Sequence, residues 1–375
     1  MDNVEAAFAA VSENAYVLEP DGRPLPQSSN PAIIAAMLRL LDVRPGARVL
    51  EIGTGSGFST ALLSQLVGWA GTVVSLDVDP AVAARAARRL SEQGVTNATI
   101  LAADGTAGHA PAAPFDRIIA WATADALPLA WVEQAATDCL IVAPVLLAPL
   151  ADSVAVVRAR CVAPGHVEGE QVISGSFVPL TPVPTRRWGG PPANGDLVLA
   201  PASDEEAASW LSAEWLRGGA QDAGALRDLC LPVTRNQTPF APGEDPEAFQ
   251  AYLLARRPAP LTTTFLPKIG RAIGYGSTAG LALISLRDGA LVRTGDDDTA
   301  TPLLLRWLAD WRAAGRPGFA QVCPHLERTP EGWTVRATLA PPRAATTLDQ
   351  LLAGITEQNQ HGEIDMGPPV GKEIW

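Results

Sequence analysis

The stretch Val49-Leu50-Glu51-Ile52-Gly53-Thr54-Gly55-Ser56-Gly57-Phe58 decides the fold of this chain. Its first residues are apolar apart from one carboxylate, as in a buried strand, and three alternating glycines then lead into a helix-forming segment. Glycine lacks a Cβ atom, so such a turn can adopt positive φ values and bring N–H groups at the helix start close to a ligand. The stretch predicts the nucleotide-binding turn of a Rossmann-like α/β sheet.

The carboxylate of Glu51, at the tip of this strand, indicates which nucleotide is bound. A dinucleotide site presents the positive end of a helix to a pyrophosphate, which a neighbouring carboxylate would repel. Glu51 instead favours a cationic or zwitterionic guest, such as the amino acid end of S-adenosylmethionine. We therefore expect this cofactor to contact Glu51, Gly53, Thr54, Gly55 and Gly57.

A second carboxylate, Asp77, ends the predicted strand Thr72–Leu76 and lies 20 residues beyond Gly57. At this spacing a carboxylate can accept both hydroxyls of one ribose. The alternative is that Asp77 or Asp79 only caps the helix that Pro80 opens. We expect Asp79 to be the cap, which leaves Asp77 for the cofactor.

The third predicted strand, Ala98–Ala102, is followed by Asp104 and Gly105. Taken alone, Asp-Gly is more often a plain turn. In series with Glu51 and Asp77, however, we expect Asp104 to face the adenine amino group, with Gly105 beside it. Three acidic strand tips would then surround one cofactor.

Over about residues 1–185 the chain resembles the protein-L-isoaspartate O-methyltransferase family. The resemblance rests on Pro26-Gln27-Ser28-Ser29-Asn30-Pro31, the glycine turn with Arg48 at the head of its strand, Ala103-Asp104-Gly105-Thr106, Phe115-Asp116-Arg117-Ile118-Ile119 and Ser176-Phe177-Val178-Pro179-Leu180. The glycine turn is common to many methyltransferases, whereas the first and last phrases are more distinctive. The resemblance implies an S-adenosylmethionine-dependent carboxyl O-methyltransferase that acts on an aspartyl or isoaspartyl side chain of a peptide.

The resemblance also implies the substrate residues. In the family, a Ser or Thr followed by a polar residue and Pro lies beside the substrate carboxylate, and Ser29 occupies that position. Ser29 could equally cap the helix that begins at Pro31, and one hydroxyl could do both. Ser28 and Trp121 depart from the family pattern, which has an apolar and a small residue there. We expect Ser28, Ser29 and Trp121 to contact substrate, with Ser29 as the catalytic residue that orients the carboxylate.

A carboxylate substrate needs alignment more than a general base, because its pKa of about 4 leaves it ionised at neutral pH. In the family the ester closes to a succinimide, which can reopen to repair a damaged protein. Repair enzymes usually stop where this resemblance ends, whereas 180 residues follow residue 195 here. That layout resembles methyltransferases of ribosomal peptide natural-product maturation. We therefore favour aspartimide formation in one modified precursor peptide, with general isoaspartyl repair as the alternative.

Composition excludes several other classes. A net charge of −12 argues against a nucleic-acid partner, although an RNA or small-molecule methyltransferase or a non-catalytic scaffold could share the cofactor turn. The four cysteines, Cys139, Cys161, Cys230 and Cys323, are far apart, so we expect reduced thiols and no metal site. No segment resembles a signal peptide or membrane span, and we expect a cytoplasmic protein without a membrane partner.

The alternation of strands and helices predicts a doubly wound, mainly parallel sheet followed by a second, smaller α+β domain. Helices are predicted over Pro31–Leu41, Phe58–Val67, Val82–Gln93 and Leu129–Ala136, and later strands over Cys139–Val145, Val154–Arg160 and Gly175–Leu180. Pro- and Gly-rich sequence after Leu180 marks a linker. The predicted domains are 1–185 (methyltransferase), 186–195 (linker), 196–340 (a proposed peptide-binding module) and 341–375 (tail).

Within the second domain the periodicity is less regular. Helical spacing predicts helices over Asp204–Arg217, Asp245–Arg256 and Thr301–Ala314, the last capped by Asp298 or Thr299. Apolar runs predict a hairpin of Leu281–Leu286 and Leu291–Thr294.

Overall fold

The computed structural model describes most of the 375 residues. The described ranges are 2–19, 21–25, 30–184, 195–199, 208–217, 233–266, 269–295 and 299–341. Ser28, Ser29, Asp298, Cys230, nearly all of the predicted linker and the tail from residue 342 lie outside these ranges. The predictions made for them stay predictions.

A seven-stranded sheet forms in the first part of the chain, as the glycine turn predicts. Its strands are β1 (Arg48–Ile52), β2 (Thr72–Asp77), β3 (Ala98–Ala102), β4 (Phe115–Ala120), β5 (Ala135–Leu146), β6 (Val154–Ala163) and β7 (His166–Ile173). Their order is β3-β2-β1-β4-β5-β6-β7, with β1 to β5 parallel and the last two pairings antiparallel. The Rossmann-like fold class is confirmed, and the topological switch point lies between β1 and β4.

Three of the described helices in this part of the chain begin after a residue whose side chain caps them. The helices are α1 (Asn3–Ala10), α2 (Asn14–Val17), α3 (Pro31–Leu41), α4 (Phe58–Val67), α5 (Pro80–Glu92) and α6 (Leu129–Glu133). Helices α3 and α4 have the predicted bounds. As predicted, Asp79 caps α5, because its side chain accepts a 2.8 Å hydrogen bond from the N–H of Ala81. The cap of α3 is Asn30, where the sequence suggested Ser29 as one alternative, and its side chain accepts a 2.8 Å hydrogen bond from the N–H of Ala32.

Two local predictions in this part are wrong. The helix predicted over Leu129–Ala136 ends at Glu133, because Ala135 pairs with Phe115 and begins β5. The strand predicted over Gly175–Leu180 is not a strand of the sheet, and the edge strand is β7 instead. In both places pairing with a distant strand overrides local preference.

A second, antiparallel sheet follows. Its strands are β8 (Leu197–Leu199), β9 (Ser209–Ala213), β10 (Val233–Arg235), β11 (Leu261–Leu266), β12 (Gly270–Gly276), β13 (Gly280–Ser285) and β14 (Leu291–Gly295), in the order β10-β14-β13-β12-β11-β9-β8. Helices α7 (Pro246–Arg256) and α8 (Ala300–Ala313) accompany it, and β15 (Val322–Arg328) pairs with β16 (Trp333–Leu339). The β13–β14 hairpin, α7 and α8 agree with the predictions. The helix predicted over Asp204–Arg217 is wrong over Ser209–Ala213, since β9 pairs with β11 there, and residues 204–207 lie outside the described ranges.

Residues Met1–Leu339 pack as one compact unit. One hydrophobic cluster contains Ile118 and Trp131 of the first sheet region together with Phe249, Ile273 and Trp311 of the second. Burial of large apolar side chains is the main stabilising contribution in folding, so both regions depend on this cluster. None of the described helices is long and apolar enough to cross a membrane.

The β5–β6 connection (residues 147–153) joins the two sheets by hydrogen bonds as well. The Thr263 hydroxyl of β11 donates to the carbonyl of Ala151 at 2.7 Å, and Arg257 donates to the carbonyl of Leu147 at 2.6 Å. Buried carbonyls need hydrogen-bond donors, and the second region supplies donors to these two carbonyls of the β5–β6 connection.

Candidate functional site

A cavity of about 350 Å³ lies at the carboxyl ends of β1, β2 and β4. The glycine turn (53–56) and the loop after β2 (77–79) border one side, and Trp121, Ala122 and the segment 176–181 border the other. This is the position expected for a ligand in an open α/β sheet. Of the predicted cofactor and substrate residues, those that line the cavity are Gly53, Thr54, Gly55, Asp77, Gly105 and Trp121, whereas Glu51, Gly57 and Asp104 do not.

The glycine turn adopts the conformation that its sequence predicts. Gly53 has a φ of 90° and Gly57 a φ of 87°, in the left-handed region that side chains disfavour. At the start of α4, Gly57 donates its N–H to the carbonyl of Thr54, and Phe58 donates its N–H to the hydroxyl of Ser56. The prediction that N–H groups at the start of this helix contact a ligand stays a prediction for the residues that follow Phe58.

The side chain of Asp77 connects the glycine turn after β1 to the loop after β2 by hydrogen bonds. Its Oδ2 accepts a 2.9 Å hydrogen bond from the N–H of Gly55, and its Oδ1 accepts one of 3.0 Å from the N–H of Asp79. Burial raises the pKa of Asp77, and these two donors oppose that effect. The carboxylate is thus already oriented at the cavity, where its remaining lone pairs can accept further donors.

Asp104 is held in a local turn beside the cavity. Its Oδ1 accepts hydrogen bonds from both the N–H and the hydroxyl of Thr106, at 2.9 and 2.8 Å. Gly105 lies against the end of β1, where a Cβ atom would come within 2.4 Å of an Ile52 methyl group. Trp131 donates its indole N–H to the Gly105 carbonyl at 2.8 Å. The contact predicted between Asp104 and adenine stays a prediction, and Gly105 is required by close packing.

Glu51 is fully buried beneath the glycine turn. The hydroxyls of Ser59 and Thr60 donate to its two carboxylate oxygens, and the Trp121 indole donates to Oε1 at 2.8 Å. Burial raises the pKa of Glu51, while these donors favour its ionised form. Direct contact between Glu51 and a guest stays a prediction. In the structure its three donors link β1, α4 and the end of β4.

The partnership of Trp121 with Glu51 is a site feature that sequence reasoning missed. Trp121 stands directly after β4 and lines the cavity, with its ring 6.4 Å from that of Phe177. The sequence carries no local signal for this contact, because 70 positions separate the two hydrogen-bonded residues. The only indication was that Trp121 replaces a small residue.

The phrase around Phe177 forms the opposite wall through backbone pairing. Thr123 donates its N–H to the Val178 carbonyl and its hydroxyl to the Phe177 carbonyl, at 2.7 and 3.0 Å. Leu180 donates in return to the Thr123 carbonyl at 2.7 Å. These bonds explain why the phrase looks extended in sequence although it leaves the main sheet.

The electrostatics of the cavity favour a positively charged ligand. Among the described residues that line it, the charged side chains are Asp77 and Asp79. Apolar residues, including Ile33, Leu76 and Val82, provide surface for a ring or a methylene chain. No group of three or more potential metal ligands was found in the described part of the chain. The arrangement can hold a cationic nucleoside with its charged part toward the glycine turn.

Comparison with protein families gives one match to this half of the chain. The family model for protein-L-isoaspartate(D-aspartate) O-methyltransferase matches residues 5–184. The matched region contains the cavity walls described above and ends before the second sheet.

Several proteins with the name protein-L-isoaspartate O-methyltransferase are similar to the chain. The protein from Anaeromyxobacter dehalogenans is 42% identical over 190 residues, which cover 49% of this chain and 87% of that relative. The Methanoculleus marisnigri protein is 37% identical over 175 residues, covering 45% and 76% respectively. The Ignicoccus hospitalis protein is 41% identical over 117 residues, and the chain spans only 56% of its length. A solved structure of that name aligns with a TM-score of 0.47 at 17% identity, covering 91% of this chain and 96% of its own.

Proposed function

Because the chain belongs to the protein-L-isoaspartate(D-aspartate) O-methyltransferase family, we propose that it methylates the side-chain carboxylate of an isoaspartyl residue in peptides or proteins. The enzyme class is a carboxyl O-methyltransferase, and its cofactor is S-adenosylmethionine. The observation that carries the substrate proposal is the cavity between the cofactor turn and the segment 176–181, a phrase distinctive of the family.

The residues present fit the cofactor. Asp77 is oriented at the cavity by the turn that carries Gly55, and the lining charges are negative, as a sulfonium and an ammonium group require. Gly53, with a φ of 90°, lets the turn border the cavity, and Gly105 lines it while it packs against Ile52. Bound here, S-adenosylmethionine supplies an electrophilic methyl group.

The protein contributes position and electrostatics to the reaction. A substrate carboxylate is ionised at neutral pH and needs no base, so its alignment and the exclusion of water determine the rate. Asp77 would accept hydrogen bonds from the ribose, and Trp121 would border the place where the substrate carboxylate meets the methyl group. Ser29 would orient the substrate carboxylate, with Ser28 beside it. No histidine is required.

The similar proteins support isoaspartyl methylation more than the maturation of one precursor peptide. Those described above carry the isoaspartate name, so they favour the alternative that the sequence left open. Closure of the ester to a succinimide would follow without further help from the enzyme, by attack of the neighbouring backbone nitrogen. A cytoplasmic location stays a prediction.

One assay separates these substrates. In parallel reactions the enzyme, with labelled S-adenosylmethionine, is given an isoaspartyl peptide, the same peptide with ordinary aspartate, a cyclised aspartate-containing precursor, and RNA. Gain of one methyl group on the isoaspartyl peptide alone, followed by loss of methanol, supports the proposal. Methylation of the cyclised precursor alone would support maturation, and methylation of RNA alone would overturn both.

Ser29→Ala tests the catalytic role within the same assay. We expect slower methyl transfer with unchanged cofactor affinity, because the hydroxyl acts on the substrate carboxylate. Ser91→Ala, which removes an exposed hydroxyl of α5 outside the cavity, is the control for the loss of a hydroxyl. Since Asn30 caps α3, a fall in helix stability is not expected from Ser29→Ala. Equal turnover by wild type and Ser29→Ala would remove the assignment.

A further inference from the structure

The loop between β4 and α6 (residues 121–128, the β4–α6 loop) carries Trp121 into the cavity. It has no helix or ladder of its own. Trp121 is hydrogen-bonded to Glu51 and Ile52, and isolated backbone pairings with three other parts of the chain hold the rest of the loop. Thr123 pairs with the segment 176–181, and Ala124 donates to the Pro144 carbonyl at 3.1 Å. Both pairings lie near the start of the loop.

The far end of the loop is held by the last two strands of the second region. Leu127 donates its N–H to the Trp333 carbonyl at 2.9 Å, and Trp333 donates back to the Leu127 carbonyl at 2.8 Å. Trp333 begins β16, so this reciprocal pair ties the loop to the β15–β16 hairpin (residues 322–339). Nothing local in the sequence of the loop predicts this contact.

The hairpin is a firm support. Seven residue pairs join its strands, and Trp333, Val335 and Ala337 are buried against the common hydrophobic cluster. Its first strand packs on β7, where a Cβ atom on Gly169 would lie 2.2 Å from the Pro324 carbonyl oxygen. A hairpin with buried side chains and a close backbone contact can transmit its position to the loop that is hydrogen-bonded to it.

We infer that the β15–β16 hairpin positions the β4–α6 loop and thereby fixes the substrate-facing wall of the cavity, with Trp333 as the positioning residue. This inference rests on the proposed function for its substrate. It assigns the second region a part in building the site. Without the hairpin the loop would keep its pairings at Thr123 and Ala124, but the backbone of Leu127 would lose its partner Trp333. Peptide binding should depend on the hairpin, and cofactor binding at the glycine turn should not.

Gly332→Val tests the inference. A Cβ atom at Gly332 would lie 2.5 Å from the Leu127 carbonyl oxygen and 3.2 Å from Ala126 Cβ, so the substitution separates loop and hairpin. We expect the KM for an isoaspartyl peptide to rise on the order of tenfold, with the Kd of S-adenosylmethionine within about twofold of wild type. Arg336→Ala, an exposed change in the same hairpin, should alter neither constant.

A measurement without substrate keeps the test independent of the proposed function. Amide hydrogen exchange over residues 121–128 should be faster in Gly332→Val than in wild type, while exchange at the glycine turn stays the same. Gly169→Ala, which displaces the hairpin from β7, should have the same effect. Unchanged exchange in both folded variants would overturn the inference, as would equal losses of peptide and cofactor binding. If the wild type methylates no isoaspartyl peptide, but exchange over residues 121–128 is still faster in the variants than in the wild type, only the proposed function is refuted.

Discussion

The indole N–H of Trp121 donates a 2.8 Å hydrogen bond to Oε1 of Glu51, so a residue of the substrate wall also supports the cofactor turn. Both side chains are buried. A buried carboxylate depends on its donors, because hydrogen bonds to charged groups are stronger than those between neutral groups. Trp121 thus affects the charge next to the glycine turn as well as the shape of the cavity.

Trp121→Phe should weaken binding of S-adenosylmethionine on the order of tenfold, because loss of the indole donor raises the pKa of Glu51 further and reduces the negative charge near the glycine turn. Affinity for methylthioadenosine, which lacks the charged groups, should change little. Calorimetry with both ligands measures the difference. Phe177→Leu, which alters the neighbouring ring and keeps the hydrogen bond, is the control. Equal weakening of both ligands by Trp121→Phe would indicate a role in packing alone.

Glu51→Gln should stabilise the ligand-free protein at alkaline pH. Burial raises the pKa of Glu51 above its usual 4.5, so the folded chain binds this proton more tightly than the unfolded chain. The ionised side chain therefore costs stability above the raised pKa, and this cost disappears as the pH falls below 4.5. Thermal melting at about pH 8 and about pH 4 should show a difference that shrinks on acidification.

The same Glu51→Gln variant should bind S-adenosylmethionine less tightly, since a negative charge near a cationic ligand is lost. Glu92→Gln, which neutralises an exposed carboxylate of α5, controls for net charge. A Glu51→Gln protein that melts at a lower temperature at alkaline pH would contradict the expected cost of the buried charge.

Asp77→Ala should lower cofactor affinity by 10- to 100-fold, as expected for the loss of hydrogen bonds worth about 1.5 to 3 kcal/mol. Because the Asp77 pKa is raised, wild-type affinity should also fall as the pH drops toward that pKa, and the variant should lack this dependence. Titration calorimetry over a range of pH checks both. Asp125→Ala removes an exposed carboxylate outside the cavity and should leave affinity unchanged.

Glu244→Gln should destabilise the protein at neutral pH. Arg312 and Arg316 bind this carboxylate and lower its pKa from 4.5 to about 2. A lowered pKa contributes stability that is fully present above 4.5 and is lost as the pH falls toward 2. Urea midpoints of wild type and variant should differ at about pH 7 and converge at about pH 2. A constant difference across this range would show that the ion pairs are not its cause.

The parts of the site that depend on neighbouring residues could be predicted from the sequence. Gly53 and Gly57 need positive φ, Asp79 precedes a helix-starting proline, and Asp77 follows an apolar strand. Each of these signals lies within a few residues of its consequence, because turns, caps and strand ends are set by local chemistry.

The contacts that complete the site could not be predicted in this way. Trp121 contacts Glu51, and Leu127 contacts Trp333. The residues of each pair are far apart in the sequence, and hydrophobic periodicity carries no information about such pairs. The helix prediction for Asp204–Arg217 is wrong for the same reason. The spacing of its apolar residues is helical, but Trp210 pairs with Phe265 in the second sheet. Long-range pairing decides these cases, and one sequence contains no direct measure of it.

The hydrophobic cluster shared by Ile118, Trp131, Phe249 and Trp311 makes the folding of the two sheets interdependent. A first half produced without the second sheet would expose its share of this cluster to water. Large exposed apolar patches promote association, so we expect that fragment to aggregate.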